Sequence, residues 1–394
     1  MNQNQAHPIT LALTALICCA LEDALANEPI VIGHETTIES EILGENRRLL
    51  IGEPHGYRAG SNHYPMILLL DGDANFHTVT GIVGSLVRGQ AMPPTFVVGI
   101  PNTVRRRDLT PTTQVESERQ LAHGGAGKFL DFITQELVPW MNENYRVHPY
   151  TILVGHSLGG LFTASAMASA PSSFDAYVIV SPSLEWNEER TLEHAAETIS
   201  SRASWPATVY VSIANEGGPM LASTEKFVGL LDAHNPKDFV WGYDRVVDEN
   251  HMTIPSMAVR AGLKLVFSDW NIDEPLTAYD SGGIEAIHAF YRNADRRYKT
   301  NRGTPAAALP TLGAWLLSSN RLDDAKLVLL DANTPPNPNL LARLGTAFEA
   351  AGKRTAALDV FRHLRDSYPE NTAARAALER LEPDWRLPGR TEPI

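Results

Sequence analysis

Five short, almost unbroken apolar runs constrain this chain most. They lie at 66–70, 95–100, 151–155, 176–180 and 208–213, and 239–243 with 245–247 suggests a sixth. A surface strand alternates apolar and polar side chains; these runs do not, so both of their faces must be covered. Helix-like stretches separate them, at 128–144, 158–170, 188–200 and 223–233. Strand and helix in alternation from about residue 30 to 270 predict an α/β fold, a doubly wound and mostly parallel sheet.

The pattern changes after about residue 301. Residues 304–380 are rich in Ala and Leu at helical period. Leu341, Leu344, Gly345, Phe348, Ala357, Phe361 and Pro369 stand at the spacings of a tetratricopeptide (TPR) repeat. Gly313, Leu316, Ala325 and Leu329 form a weaker copy 32 residues earlier. The alternative is an unrelated helical cap. The expected division is a leader over 1–26, an α/β domain over 27–272, a linker helix region over 273–303 and a TPR-like helical domain over 304–394.

Residues 9–21 are apolar, too few to span a bilayer, and Ala24-Leu25-Ala26 supplies small residues for a signal peptidase. No Lys or Arg precedes the run. The expectation is a signal peptide cleaved after Ala26 and a secreted or periplasmic protein. Cys18 and Cys19 are the only two cysteines, and both lie inside that segment. A cleaved chain then has no disulfide and no thiolate metal site. The formal net charge of −13 argues against nucleic acid, whose phosphates need clustered Lys and Arg. No later segment is long and apolar enough for a membrane span.

The run at 151–155 leads into Gly155-His156-Ser157-Leu158-Gly159, a G-x-S-x-G pattern. Alone it is weak: about one chain in eight of this length carries it by accident, at ordinary Gly and Ser frequencies. Its setting strengthens it, because a strand precedes it and a helix rich in small residues follows. That is the arrangement that presents a serine nucleophile on a sharp turn. The backbone N–H of Leu158 would then face a developing oxyanion. A second donor should come from the turn after Leu70, with the amide of Asp73 as the candidate.

A base and an acid should follow the serine in the chain. Five histidines do: His194, His234, His251, His288 and His363. His194, His288 and His363 sit in helical stretches and His234 in a polar loop; His251 comes directly after the last strand, where the base belongs. Glu216, on the loop after the fifth run, is the candidate acid, with Asp244 and Asp248 as rivals. Asp71 and Asp73 lack the recurrent oxygen ligands of a calcium loop. No metal site is expected.

Leu70-Asp71-Gly72-Asp73, Gly99-Ile100-Pro101-Asn102, Arg107-Asp108-Leu109-Thr110-Pro111, Gly155–Gly160, Ser181-Pro182-Ser183-Leu184 and Asn250-His251 together resemble the putative-esterase group. That group includes the periplasmic IroE-like enterochelin (siderophore) esterases and esterase D. The resemblance covers roughly 30–270, and members with a TPR-like tail resemble the whole mature chain. It implies an α/β-hydrolase fold and a cofactor-independent serine hydrolase of carboxylic esters. It implies Ser157 as nucleophile and His251 as base. Arg107 and Asp108 would lie near the site with His156, and Trp186 would shape the acyl or alcohol pocket. The family often has two aromatics after Ser-Pro-Ser-Leu; Glu185 replaces the first. The run Arg105-Arg106-Arg107 is either an attraction for an anionic substrate or a solvated basic loop. The expected partner is a small-molecule ester, with a protein partner for the helical tail. An acyltransferase, a peptidase and a non-catalytic hydrolase-fold protein stand as alternatives.

Overall fold

The apolar runs become the centre of one eight-stranded sheet. The computed structural model describes residues 30–382 except 235 and 333. The leader expected over 1–26 lies outside the described residues. The strands are β1 (His34–Ser40), β2 (Glu45–Gly52), β3 (Tyr64–Leu70), β4 (Phe96–Ile100), β5 (Val147–His156), β6 (Ala176–Val180), β7 (Thr208–Ile213) and β8 (Val240–Arg245). Their order is β1-β2-β4-β3-β5-β6-β7-β8. From β4 to β8 all neighbours are parallel, while β1–β2 and β2–β4 are antiparallel.

The six expected strands are β3 to β8. Every residue of β3, β4, β6 and β7 is buried, as continuous apolar runs require. Truncating a side chain such as Leu153, which is fully enclosed, should cost about 2–5 kcal/mol. β1 and β2 are additions. They form an antiparallel edge whose burial alternates in β1, HETTIES, and most of β2, ENRRLLIG. Arg47 of β2 points inward: it is 1% exposed, and its guanidinium lies over the Phe129 ring.

The helices of this unit that matter below are α1 (Gly72–Arg88), α2 (Arg105–Leu109), α3 (Leu158–Ser169), α4 (Trp186–Ser200), α5 (Gly218–Ala233) and α6 (Ile254–Val266). α1 and α3 each start directly at the carboxyl end of a parallel strand. In open α/β sheets that edge is where ligands bind.

The second compact unit comprises the described residues from Phe267 on, with Gln90–Met92. Its helices are α7 (Pro275–Arg297), α8 (Ala308–Ser318), α9 (Leu322–Leu329), α10 (Pro338–Ala350), α11 (Arg354–Ser367) and α12 (Thr372–Leu381). The boundary falls after Val266, not at 272. Tyr279, Ile287 and Tyr291 of α7 belong to the helical core, so 273–303 is more than a linker. α8–α9 and α10–α11 repeat at the expected 32-residue offset. A Cβ on Gly313 would lie 2.4 Å from Leu329, and one on Gly345 2.5 Å from Phe361, so both pairs need glycine for close approach. Asn320 and Gly352 are left-handed at equivalent positions. Arg321 N–H donates to Leu316 and Lys353 N–H to Phe348, each at 2.9 Å.

Candidate active site

The turn at Ser157 is forced by its neighbours. β5 ends at His156, α3 begins at Leu158, and Ser157 between them takes φ 60°, ψ −117°. That conformation is unfavourable for a side chain with a Cβ. Backbone bonds on both sides hold it: Ser157 N–H donates to Val180 O at 3.0 Å, and Ser183 N–H donates to Ser157 O at 3.1 Å. Space is as tight as the glycines suggest. A Cβ on Gly155 would fall 2.1 Å from the carbonyl oxygen of Gly159.

His251, on the loop after β8, reaches this hydroxyl. Its Nε2 lies 3.0 Å from Ser157 Oγ and its Nδ1 2.7 Å from Glu216 Oε1. Two loops are tied together to allow this, since Asn215 N–H donates to Glu249 O at 3.0 Å. The rival carboxylates are elsewhere. Asp244 accepts a hydrogen bond from the Tyr210 hydroxyl at 2.7 Å, and Asp248 is exposed. Burial pushes the Glu216 carboxyl up, but hydrogen bonds from His251, its own amide and the Ser181 hydroxyl outweigh it. The result is a pKa below the usual carboxylate range. Glu216 therefore stays ionised and fixes the imidazole by a charge-assisted bond. A hydroxyl, an imidazole and a carboxylate in this order can move a proton off the oxygen and hold the resulting imidazolium.

Two helix starts flank Ser157. Leu158 opens α3; Gly72 and Asp73 open α1, behind Asp71 in a left-handed conformation. Ala74 and Asn75 N–H bond back to Asp71 O, while the amides before them come too early for an intrahelical acceptor. Both termini thus present backbone N–H groups at one edge, suited to stabilising negative charge. Their proximity is direct: a Cβ on Gly159 would sit 3.2 Å from Asp71 Oδ2.

Sequence reasoning missed what holds that edge. The buried Asp71 carboxylate receives Arg105 Nε at 2.6 Å and Nη2 at 2.9 Å, and Asn102 Nδ2 at 2.7 Å. Arg105 also donates to His156 O at 3.4 Å. Asn102 and Arg105 lie three residues apart on the segment that follows β4, whereas Asp71 follows β3, so no local pattern joins them to it. The signal available was an aspartate directly after a buried strand, followed by glycine.

The remaining expected residues have varied positions. His156 packs against His251 with ring centroids 4.6 Å apart. Burial, then the neighbouring His251, pushes its imidazole down to about 4, so it is neutral at pH 7. Trp186 is buried, donates its indole N–H to Pro111 O at 3.1 Å, and has the Arg106 guanidinium over its ring. Arg107 and Asp108 are engaged in a charge network with Arg47 and Glu45. Arg47 Nη1 to Asp108 Oδ2 is 2.7 Å, Arg107 Nε to Asp108 Oδ1 2.6 Å, and Arg107 Nη2 to Glu45 Oε1 2.8 Å. The three consecutive arginines thus have three different employments. Among the described residues, no group of His, Cys, Asp and Glu is arranged to hold a metal ion, and no helix is long and apolar enough to cross a membrane.

Comparison with known proteins agrees with this architecture. The family model described as "Putative esterase" matches residues 40–227. The ferri-bacillibactin esterase BesA of Bacillus subtilis is 32% identical over 155 residues, 35% of this chain and 54% of that protein. The chain thus spans about half the length of that relative. The siderophore triacetylfusarinine C esterase of Aspergillus fumigatus is 31% identical over 257 residues, 54% of this chain and 85% of that protein. An IroE-like serine hydrolase from Shewanella oneidensis superposes with a TM-score of 0.64 at 24% identity, covering 75% of this chain and 97% of the other. That structural likeness marks the fold as an α/β-hydrolase. With the sheet order, the elbow at Ser157 and the extent of the match to the Aspergillus protein, the chain belongs to the putative-esterase family.

Proposed function

We propose that this protein is a serine carboxylic-ester hydrolase working through an acyl-enzyme on Ser157. The observation that carries the reading is the hydrogen-bonded series Ser157–His251–Glu216 on a strained turn between two helix starts. His251 takes the Ser157 proton as the oxygen attacks the ester carbonyl. The amides of Leu158 and Asp73 hold the oxyanion. The alcohol leaves with the proton that His251 returns, and water repeats the sequence to free the acid. Glu216 keeps the imidazole oriented and stabilises its charged form. No cofactor takes part.

The named activities of the two relatives support siderophore esters and lactones as the first substrates to try. Secretion or residence in the periplasm is part of the same proposal. So is a TPR-like role for the two helical hairpins as a surface for a protein partner, which their 32-residue repeat supports.

A fluorophosphonate probe and an ester panel test the reading together. Wild type should be labelled and should turn over short acyl esters. Ser157→Ala should do neither. Equal labelling of both proteins, or no ester cleaved by wild type, would remove the hypothesis. Product analysis with added alcohols separates hydrolysis from acyl transfer, and matched amides separate an esterase from a peptidase.

A further inference from the structure

Asp71 stands at the N-cap of α1, where an aspartate side chain ordinarily accepts from one of the first helical amides. This one does not. Its carboxylate turns to the segment after β4 instead. Oδ1 receives Arg105 Nε at 2.6 Å and Asn102 Nδ2 at 2.7 Å, and Oδ2 receives Arg105 Nη2 at 2.9 Å. The Asp71 side chain is 6% exposed, so this two-point ion pair is shielded from water and strong. While it lasts, the Asp73 amide has no side-chain acceptor in its own turn.

The same guanidinium reaches the peptide of Ser157. Arg105 Nη2 donates at 3.4 Å to His156 O, the carbonyl joined to Ser157 N. From the other side, a Cβ on Gly159 would sit 3.2 Å from Asp71 Oδ2, so the carboxylate lies against the first turn of α3. Arg105 therefore holds the start of α1 through Asp71 and the start of α3 through His156. It is itself anchored. It opens α2, and Asp108 of that helix is paired at 2.7 Å with the buried Arg47. The position carries a hazard as well. A shielded negative charge beside both helix starts repels any oxyanion held there. Arg105 is the cation that offsets it: Arg107 pairs with Glu45 and Asp108, and Arg106 lies over Trp186.

We propose that Arg105 is a positioning residue for the reaction. It draws the Asp71 carboxylate away from the amides of α1, sets the spacing of the α1 and α3 starts, and neutralises the charge that would otherwise face the oxyanion. The proposal rests on the esterase reading above and deepens it. The action of Arg105 runs through Asp71 and His156, not through contact with the ester. Without Arg105, the carboxylate is an incompletely paired charge that can fold back onto the Asp73 amide.

Kinetics on p-nitrophenyl butyrate, a neutral ester, test it. Rates are expressed per site labelled to completion by the fluorophosphonate probe, so unfolded protein drops out. Arg105→Gln should lower kcat about a hundredfold at nearly unchanged KM, the size expected when reacting groups are misplaced by about 1 Å. Adding Asp71→Asn to Arg105→Gln should restore about tenfold of that loss, because no charge is left to repel the oxyanion. A bond that merely held the fold together would give no such rescue. Arg105→Lys keeps the charge but not the two-point geometry, and its kcat should fall about tenfold. Wild-type kcat in Arg105→Gln, a change in KM alone, or a double variant no faster than Arg105→Gln would overturn the assignment. If Arg105→Gln does not fold, Arg105→Lys decides, and wild-type kcat there would overturn it equally. Failure of wild type to cleave the ester, or equal cleavage by Ser157→Ala, would instead overturn the esterase reading, and this assignment with it.

Discussion

The two units store unusual backbone in different places. In the α/β unit, six of the seven described non-glycine residues with positive φ, Asp71, Ser157, Ser181 and Asn187–Glu189, lie on segments that follow the carboxyl ends of β3, β5 and β6; the seventh, Asp238, precedes β8. In the helical unit, Gln90, Lys299 and Asn320 are the described non-glycines that have it, and Asn320 and Gly352 stand at equivalent hairpin turns, where a left-handed residue is ordinary punctuation after a helix. At about 1 kcal/mol or more per non-glycine residue, the first set is a cost that surrounding bonds must offset. The lesson is that strain gathers where side chains must be aimed, whereas a repeated hairpin uses only cheap turns.

Breaking the aimed region should show in rate before stability. Glu216→Gln should lower kcat on a neutral ester by about a thousandfold, since an amide no longer selects the imidazole form that accepts from Ser157. Asp244→Asn and Asp248→Asn should stay within a few-fold of wild type. An Asp248 variant as impaired as Glu216→Gln would reassign the acid.

The helical region should respond in stability alone. Gly345→Leu forces a side chain onto Phe361 and should cost about 2–3 kcal/mol, read as the loss of a denaturation midpoint in the helical unit. Turnover of the neutral ester by folded protein should persist. An unshifted midpoint would mean that the helices part easily, which the close approach contradicts.

Acid should sharpen the contrast. The His156 pKa is depressed to about 4 in the folded state, so the unfolded chain binds its proton first as pH falls. Its contribution is complete above about pH 6.5 and is lost progressively towards pH 4, by about 2–3 kcal/mol. His156→Gln should flatten urea midpoints across that window relative to wild type. Parallel curves for the two proteins would show that His156 is not the responsible group. The smallest effect expected is in the punctuation. Asn320→Gly should stabilise the helical unit by a few tenths of a kcal/mol, because glycine adopts a left-handed φ most readily. A loss of more than 1 kcal/mol would mean that the asparagine side chain holds the turn.

Much of this was legible in the sequence because burial on both faces leaves continuous apolar runs. β3 to β7 could be read that way, and β8 less sharply, since its burial is only partial. β1 and β2 could not: one face of this antiparallel pair is largely wet, and ENRRLLIG carries two adjacent arginines, of which one is buried and one exposed. Ser157, His251 and Glu216 were accessible through chain order and loop position. Asp71, Asn102 and Arg105 were not, because their meeting depends on the segments after β3 and β4 converging in space. Arg105, Arg106 and Arg107 looked alike in sequence and differ only in what each one faces. The helical repeat was readable from its small residues, which must sit where helices touch.

One bond pattern has a consequence for how this fold can diversify. The peptide of Ser157 is gripped through its N–H by Val180 and through its carbonyl by Ser183, both backbone groups of the segment that runs on to Glu185 and Trp186. Main-chain atoms do not change when side chains are exchanged. New residues at 185 and 186 can therefore be sampled in evolution or in the laboratory while Ser157 keeps its pose. The pose of Ser157 and the side chains beside it share one strip of chain yet are inherited separately.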